Sequence, residues 1–444
     1  MQVSPLHIWI AAELDQAANA ELDLASLRTL QLERLNQTLA HASTNSPFYK
    51  KQLQNRQACT LTSLQDLADL PFTSADDLRQ EGLQMLGVSQ GAIERVVTLE
   101  SSGTTGAAKR LYFTGEELGR TQAFFRLGMC PYLDPGDRVL ILLPGELPAS
   151  AGNLLATALQ PLGVECQIEG IVTDPGRCAA LLAEENFACV VGIPVQVLSV
   201  LRHPNASRIA RGRIKSVFLT SDYVPSALVA DIQQQWGCPA LNHYGMTELA
   251  LTGGVECQAL DGYHLREPDL FFEVVDPVHG HPLTAGETGE VVVTTLTRKG
   301  LPLIRYRTGD LARFVDEPCP CGSNLPRLSK LQGRIAQHLS IGAGQQLGIP
   351  LLDETLFMIP GLINYQAVLS LEQGVNCLSV SVETAAGSGP PTLREADQRL
   401  QELAPIHTAA EAGTLRLLPT RLCSKPLPVS ATVKRSIIDQ RKDH

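Results

Sequence analysis

Between residues 24 and 42 the apolar side chains Leu24, Leu27, Leu35, Leu39 and Ala42 fall on one stripe of a helix. That spacing predicts an amphipathic helix packed on a larger body and ended at Ser46 and Pro47. Residues 64–86 read as short helices and turns, with Asp76 and Asp77 early in a helix, where the macrodipole favours acids. No chemistry is expected before Val96. Further on the pattern alternates apolar runs with helices: RVLILLP at Arg138, ACVVGIP at Ala188, SVFLT at Ser216 and PALNHYG at Pro239, with a helix over 226–236 whose first turn suits Pro225. Strand, helix and strand at this spacing imply an α/β sheet, and such sheets bind ligands beyond the carboxyl ends of their strands. Residues 220–222 and 244–248 lie at those ends. From Leu270 the runs FFEVVDP and GEVVVTTLT, separated by turns such as 277–282, predict a small antiparallel sheet or barrel; residues 385–391 read as a loop.

One stretch belongs to no core element. TLESSGTTGAAKR, residues 98–110, gathers Ser101, Ser102, Thr104 and Thr105 with Gly103 and Gly106 ahead of Lys109. Glycines let backbone N–H groups turn toward an anion, the hydroxyls add donors and the lysine adds a mobile positive charge, so the loop is suited to wrapping phosphates. It is not a Walker A loop, because the glycine and lysine spacing does not fit.

Length and charge narrow the classes. A chain of 444 residues predicts two or more domains, and 44% apolar residues support sizeable cores. A formal charge of −10 argues against nucleic acid or an anionic membrane as the main partner. The first sixteen residues have the pattern of neither a signal peptide nor a membrane span, and eleven cysteines, an odd number, read as reduced thiols. A cytoplasmic protein is expected.

Three later segments, NHYGMTE (242–248), RYRTGDL (305–311) and Gly333–Arg334, follow the phosphate loop in an order that resembles the adenylate-forming, or acyl-CoA synthetase, superfamily. The surrounding sequence is similar to the phenylacetate–CoA ligase branch, in LRTLQLERLNQTLAHASTNSPFYKKQL, in LADLPFTSADDLR and in the late CPCG. The resemblance implies an α/β fold: a large N-terminal domain of α/β sheets with a small β-barrel-like part, then a small mobile α+β lid. The corresponding boundaries are a helical region over 1–96, a nucleotide- and acyl-binding core over 97–332 and the lid over 333–444. It also implies roles. Ser101, Ser102, Gly103, Thr104, Thr105, Gly106 and Lys109 would cradle the phosphates of ATP. Tyr244, with Gly245 and Met246, would meet adenine, Thr247 the α-phosphate, Glu248 a Mg2+ ion, Asp310 the ribose hydroxyls and Arg334 the nucleotide near the domain junction. Cys257, His264, Cys319 and Cys321 form a Cys-x6-His and Cys-x-Cys set of soft and borderline ligands suited to a closed structural Zn2+ site, and some members of the branch carry zinc. Related enzymes are often homodimers.

The pattern also departs from that family. The lysine that its C-terminal lid supplies for adenylation falls on Val433 here, with Lys434 one residue later, a shift that re-aims a side chain. After Gly333–Arg334 an acidic residue is expected, but the chain has Ile335-Ala336-Gln337, and TSDYV (220–224) replaces the turn that meets adenine in relatives. The resemblance implies an AMP-forming acid–thiol ligase that activates a small carboxylate and passes the acyl group to CoA. Two alternatives stay open: adenylation with a cofactor or carrier protein as acceptor, and a nucleotide-binding protein that has lost turnover.

Overall fold

The computed structural model describes residues 4–18, 20–53, 60–99, 108–385, 387–428 and 434–443. Ser101, Ser102, Gly103, Thr104, Thr105, Gly106 and Val433 lie outside the described residues. The chain forms two compact units from interleaved segments: Met1–Gly136, Gly145–Cys166 and Leu241–Leu331 in the first, Asp137–Pro144, Gln167–Ala240 and Gln332–His444 in the second.

In the first unit the helix Leu24–Asn45 begins at Asp23, whose side chain accepts from the Ala25 N–H, and stops at Ser46, which caps the next helix, Pro47–Gln52. Its stripe buries Leu27, Leu35 and Ala42, but also Gln31 and Thr38. Buried polar groups are tolerable only when hydrogen-bonded. Gln31 Nε2 donates to the Glu267 carboxylate and its carbonyl oxygen, and Thr38 Oγ1 donates to the Leu296 carbonyl at 3.0 Å. The helix is thus tied to a segment more than two hundred residues away.

Strands Arg95–Leu99 and Lys109–Phe113 pair antiparallel, with Leu99 opposite Lys109. Thr98, Leu99, Lys109 and Arg110 are therefore strand residues, a correction to the loop expected over 98–110. A three-stranded antiparallel sheet runs through Leu270–Val275, Gly289–Thr295 and Tyr306–Ala312, the predicted β-rich region. A second antiparallel ladder joins Phe314–Val315, Arg327–Leu328, Tyr263–Leu265 and Gly254–Glu256, and the last pairs with His243 and Tyr244.

The second unit contains parallel strands Arg138–Leu142, Cys189–Gly192 and Ser216–Leu219. They are almost wholly buried and, after Arg138 and Ser216 at their starts, carry no polar side chain, as parallel strands covered on both faces require. Pro225 stands at the N-cap of the helix Ser226–Gln235, one place before the predicted first turn. The C-terminal part is α+β: a long hairpin of Leu362–Glu372 and Val375–Thr384, flanked by Leu415–Leu417 and Ile438–Asp439, with helices Ile349–Leu356, Gly389–Glu402 and Ala404–Glu411. The residues read as a loop over 385–391 already enter a helix at Gly389, because Pro390 and Pro391 suit its first turn. Arg202, after the helix Pro194–Leu201, holds this part: its guanidinium donates to the carbonyls of Phe357, Ile359 and Leu362 and pairs with Asp231 at 2.8 Å. No helix among the described residues is long and apolar enough to cross a membrane.

Candidate active site

Strand Ala240–Tyr244 delivers NHYGMTE to the end of its sheet. A Cβ at Gly245 would lie 1.9 Å from the Leu251 carbonyl oxygen, so only glycine permits the turn that follows. The chain then makes a single 3-10 turn, Thr247–Leu249, with Met246 buried before it and Ala250 and Leu251 left-handed after it at φ 54° and 68°. The result is a buried Glu248, 4% exposed.

The Glu248 carboxylate receives the Lys109 ammonium and, at 3.2 Å, the Tyr306 hydroxyl. Its main-chain carbonyl accepts from Arg298, which also donates to the Tyr112 carbonyl at 3.0 Å and lies over the Phe113 ring at 4.6 Å. Tyr244 Oη donates to the Asp310 carboxylate at 3.1 Å, and Asp310 is fully buried. Strand Lys109–Phe113, NHYGMTE and RYRTGDL are thereby joined by side chains of opposite charge or matching hydrogen-bond character. Within RYRTGDL the two arginines are structural. Arg305, at φ 48°, pairs with Glu273 at 3.0 Å and donates to the carbonyls of Ala68 and Leu70, while Arg307 pairs with Glu290. His243, between Phe124 and Phe125, has its pKa pushed down to about 4 by burial.

Arg334 and Lys434 belong to the second unit. Arg334 caps the turn Ile335–Gln337, and its carbonyl accepts from His338 Nδ1 at 2.9 Å. Lys434 is half-buried. The residue after it, Arg435, is held by Asp222 at 3.0 Å and by both oxygens of Asp353 at 3.0 and 2.5 Å.

The four candidate ligands, three thiols and an imidazole, meet in the first unit. Cys257 follows strand Gly254–Glu256, His264 lies within Tyr263–Leu265, and Arg327 of the strand after the CPCG segment pairs directly with His264. This ladder brings Cys319 and Cys321 across to the first pair, and Gly322 turns at φ 87°. All four ligand atoms are buried and lie within 4.8 Å of one another, with Cys257 Sγ to Cys319 Sγ at 3.6 Å and Cys321 Sγ to His264 Nε2 at 3.5 Å. Thiolates on a tetrahedral Zn2+ at ~2.3 Å would stand roughly 3.8 Å apart, so the donor set fits a closed site. Hydrogen bonds from Cys257 and His264 push the Cys321 thiol well down, and the Cys257 thiol is raised in turn.

Several groups escaped the sequence reading. Tyr306 lies inside RYRTGDL, where a hydroxyl beside the ribose-binding candidate is a readable signal; Arg298 and the Arg435, Asp222, Asp353 set carry no local pattern.

An AMP-binding enzyme family model matches residues 25–297, and the chain belongs to that family. Within it the chain belongs with the phenylacetate-coenzyme A ligases: it is 30% identical over 346 residues to that of Pseudomonas putida, covering 74% of this chain and 75% of that one. It is 28% identical over 387 residues to that of Thermus thermophilus, covering 84% of each. Among solved structures, a 2-hydroxyisobutyryl-CoA ligase in its postadenylation state, in complex with 2-HIB-AMP, superposes with a TM-score of 0.78 over 95% of this chain and 91% of that chain at 20% identity, a likeness of fold.

Proposed function

We propose that this chain is an ATP-dependent, AMP-forming acid–CoA ligase. A carboxylate oxygen attacks the α-phosphorus of ATP, the bond to the β-phosphate oxygen breaks, and acyl-adenylate and pyrophosphate form. The sulfur of CoA then attacks the acyl carbon, the thiol proton is lost, and AMP departs with the electron pair of the broken C–O bond. The observation that carries this reading is the union of Lys109, Glu248 and Tyr306, with Tyr244 on Asp310. It joins, in one unit, segments that occur in the family's order.

The residue roles follow that arrangement. Lys109 would leave Glu248 for the phosphates, and Glu248 would then hold Mg2+, a hard cation bound by one or two carboxylates together with substrate phosphates. The bound ion would neutralise phosphate charge. Thr247 would donate to the α-phosphate, Asp310 would accept from the ribose hydroxyls and Tyr244 would meet the base. Lys434 would supply positive charge to the adenylation transition state, and Arg334 would reach the nucleotide. Preorganised donors of this kind each contribute on the order of 10²–10³ in rate.

Cys257, His264, Cys319 and Cys321 would hold one structural Zn2+, leaving no position for a reacting water. Metal analysis of the purified protein should find about one zinc per chain, and the double change Cys319→Ser with Cys321→Ser should lose it. A wild-type chain without zinc would end that assignment. The described cysteines are unbridged, in keeping with a reducing compartment such as the cytosol.

The decisive experiment is carboxylate-dependent exchange of labelled pyrophosphate into ATP over a panel of aryl and fatty acids, wild type beside Lys434→Ala. Exchange that the variant loses is expected. Wild-type ATP binding without exchange for any acid would return the weight to a nucleotide-binding protein without turnover, the alternative that Val433 and Ala336 favour.

A further inference from the structure

Lys434 stands one residue beyond the family's place for its lysine, so what fixes its backbone matters more than its identity. The residue that follows supplies the anchor. Arg435 sends Nε to Asp222 at 3.0 Å and both terminal nitrogens to Asp353, at 3.0 and 2.5 Å. Asp353 sits on the helix Ile349–Leu356, is fully buried and accepts a further hydrogen bond from Tyr365 Oη at 2.6 Å. The guanidinium also lies 5.3 Å from the Phe357 ring centre and 5.6 Å from that of Tyr365. Its main chain is held as well, for the Arg435 carbonyl accepts from Gln337 Nε2 at 3.0 Å. Gln337 belongs to the segment after Gly333–Arg334 where the acidic hinge residue is missing. Asp222 belongs to TSDYV, the other departure, and the next residue there, Tyr223, donates to Glu354 at 2.8 Å. Three departures from the family pattern therefore meet on one residue.

We infer that Arg435 is a positioning residue for adenylation: held by Asp222, Asp353 and Gln337, it fixes the backbone of Lys434 against the 220–224 turn and so restores an aim that the one-residue shift would have lost. A planar guanidinium gripping two carboxylates sets direction as well as distance, which a lysine in its place would not. Asp353 is internal to the C-terminal part, whereas Asp222 follows a strand of the parallel sheet. The Asp222 bond is thus the direct tie from the lysine-bearing segment to that sheet, beside the indirect ties that Tyr223–Glu354 and Arg202 make through the helix carrying Asp353 and the residues after it.

This inference rests on the ligase reading, and the test separates the two. With the acid that gives the fastest wild-type exchange, two half-reactions are measured on the full chain: pyrophosphate–ATP exchange, and thioester formation from CoA and the chemically prepared acyl-adenylate. Asp222→Asn removes the registering charge while leaving Arg435 on Asp353. Its exchange should fall about 10-fold, within the range that an ångström of misplacement costs, and its thioester formation should stay near the wild-type rate. Arg435→Met should lose more exchange than Asp222→Asn, and Arg435→Lys should recover part of that loss. Exchange unchanged in both Asp222→Asn and Arg435→Met would overturn the positioning role, as would equal losses in the two half-reactions of Asp222→Asn, which would mark mere destabilisation. No exchange from wild type would overturn the ligase reading and this inference with it.

Discussion

The two units each bury a carboxylate in the same company, a cation and a tyrosine hydroxyl, and put it to opposite use. Glu248 receives Lys109 and Tyr306; Asp353 receives Arg435 and Tyr365. Lysine is a compact point charge on a flexible stem, and a single-point ion pair can be exchanged for a metal ion or phosphate oxygens without dismantling the surroundings. Arginine grips Asp353 with two nitrogens, reaches Asp222 with a third and is flanked by rings, so nothing small can replace it. On the proposed reading, substrate would redistribute the partners of the first trio. The second is fixed from several sides, and on the inference above its functional effect would pass to the neighbouring Lys434.

The largest test of that contrast falls on the fixed trio. Asp353→Ala leaves Arg435 buried without its main counter-charge and should cost ~3–5 kcal/mol of folding stability in a urea or thermal melt, because breaking one side of a buried pair strands the other. Next comes the exchangeable trio: Glu248→Gln should reduce pyrophosphate exchange on the order of 10²–10³-fold while melting close to wild type. If Glu248→Gln melted as badly as Asp353→Ala, the contrast would break. The smallest effect is on pH dependence, and its sign differs between units. Burial raises the Asp353 pKa to about 6 despite the pull of Arg435, so between about pH 6 and its unfolded value near 4 the native state holds a proton that the unfolded chain does not. That group's contribution to stability therefore grows on acidification and is lost as pH rises through 6. His243, pushed down to about 4, stays neutral in the native state while the unfolded chain protonates below about 6.5, so its contribution is lost as pH falls. Melting from pH 7 to 4 should show wild type gaining relative to Asp353→Asn and losing relative to His243→Phe. Shifts of the same sign in both comparisons would refute the assignment.

What the sequence disclosed follows from how locally each feature is encoded. The helical stripe from Leu24 to Ala42, the apolar strands and the β-rich region after Leu270 are written in consecutive residues, and all appear in the structure. The Cys257, His264, Cys319 and Cys321 cluster was legible because cysteine and histidine pairs are chemically scarce, although only the ladder that sets Arg327 beside His264 explains why they meet. Gln31 and Thr38 were illegible: polar residues inside an apolar stripe look like interruptions until their acceptors, more than two hundred residues on, are known. The same holds for Arg435 and Asp222, which are 213 residues apart. Charge pairs over such distances leave no periodicity to read.

Arg202 bears on how this protein could be recombined with its relatives. Its guanidinium is occupied by three main-chain carbonyls from the C-terminal part and by Asp231. A chain ended at Leu331, or grafted there to a foreign C-terminal half, would keep the arginine and its Asp231 partner but lose the three carbonyls, leaving guanidinium donors that are only 5% exposed in the intact chain without their acceptors. The seam at which a modular view would cut runs through a shared hydrogen-bond socket. Chimaeras should tolerate exchange better when the segment around Arg202 travels with the C-terminal half it serves.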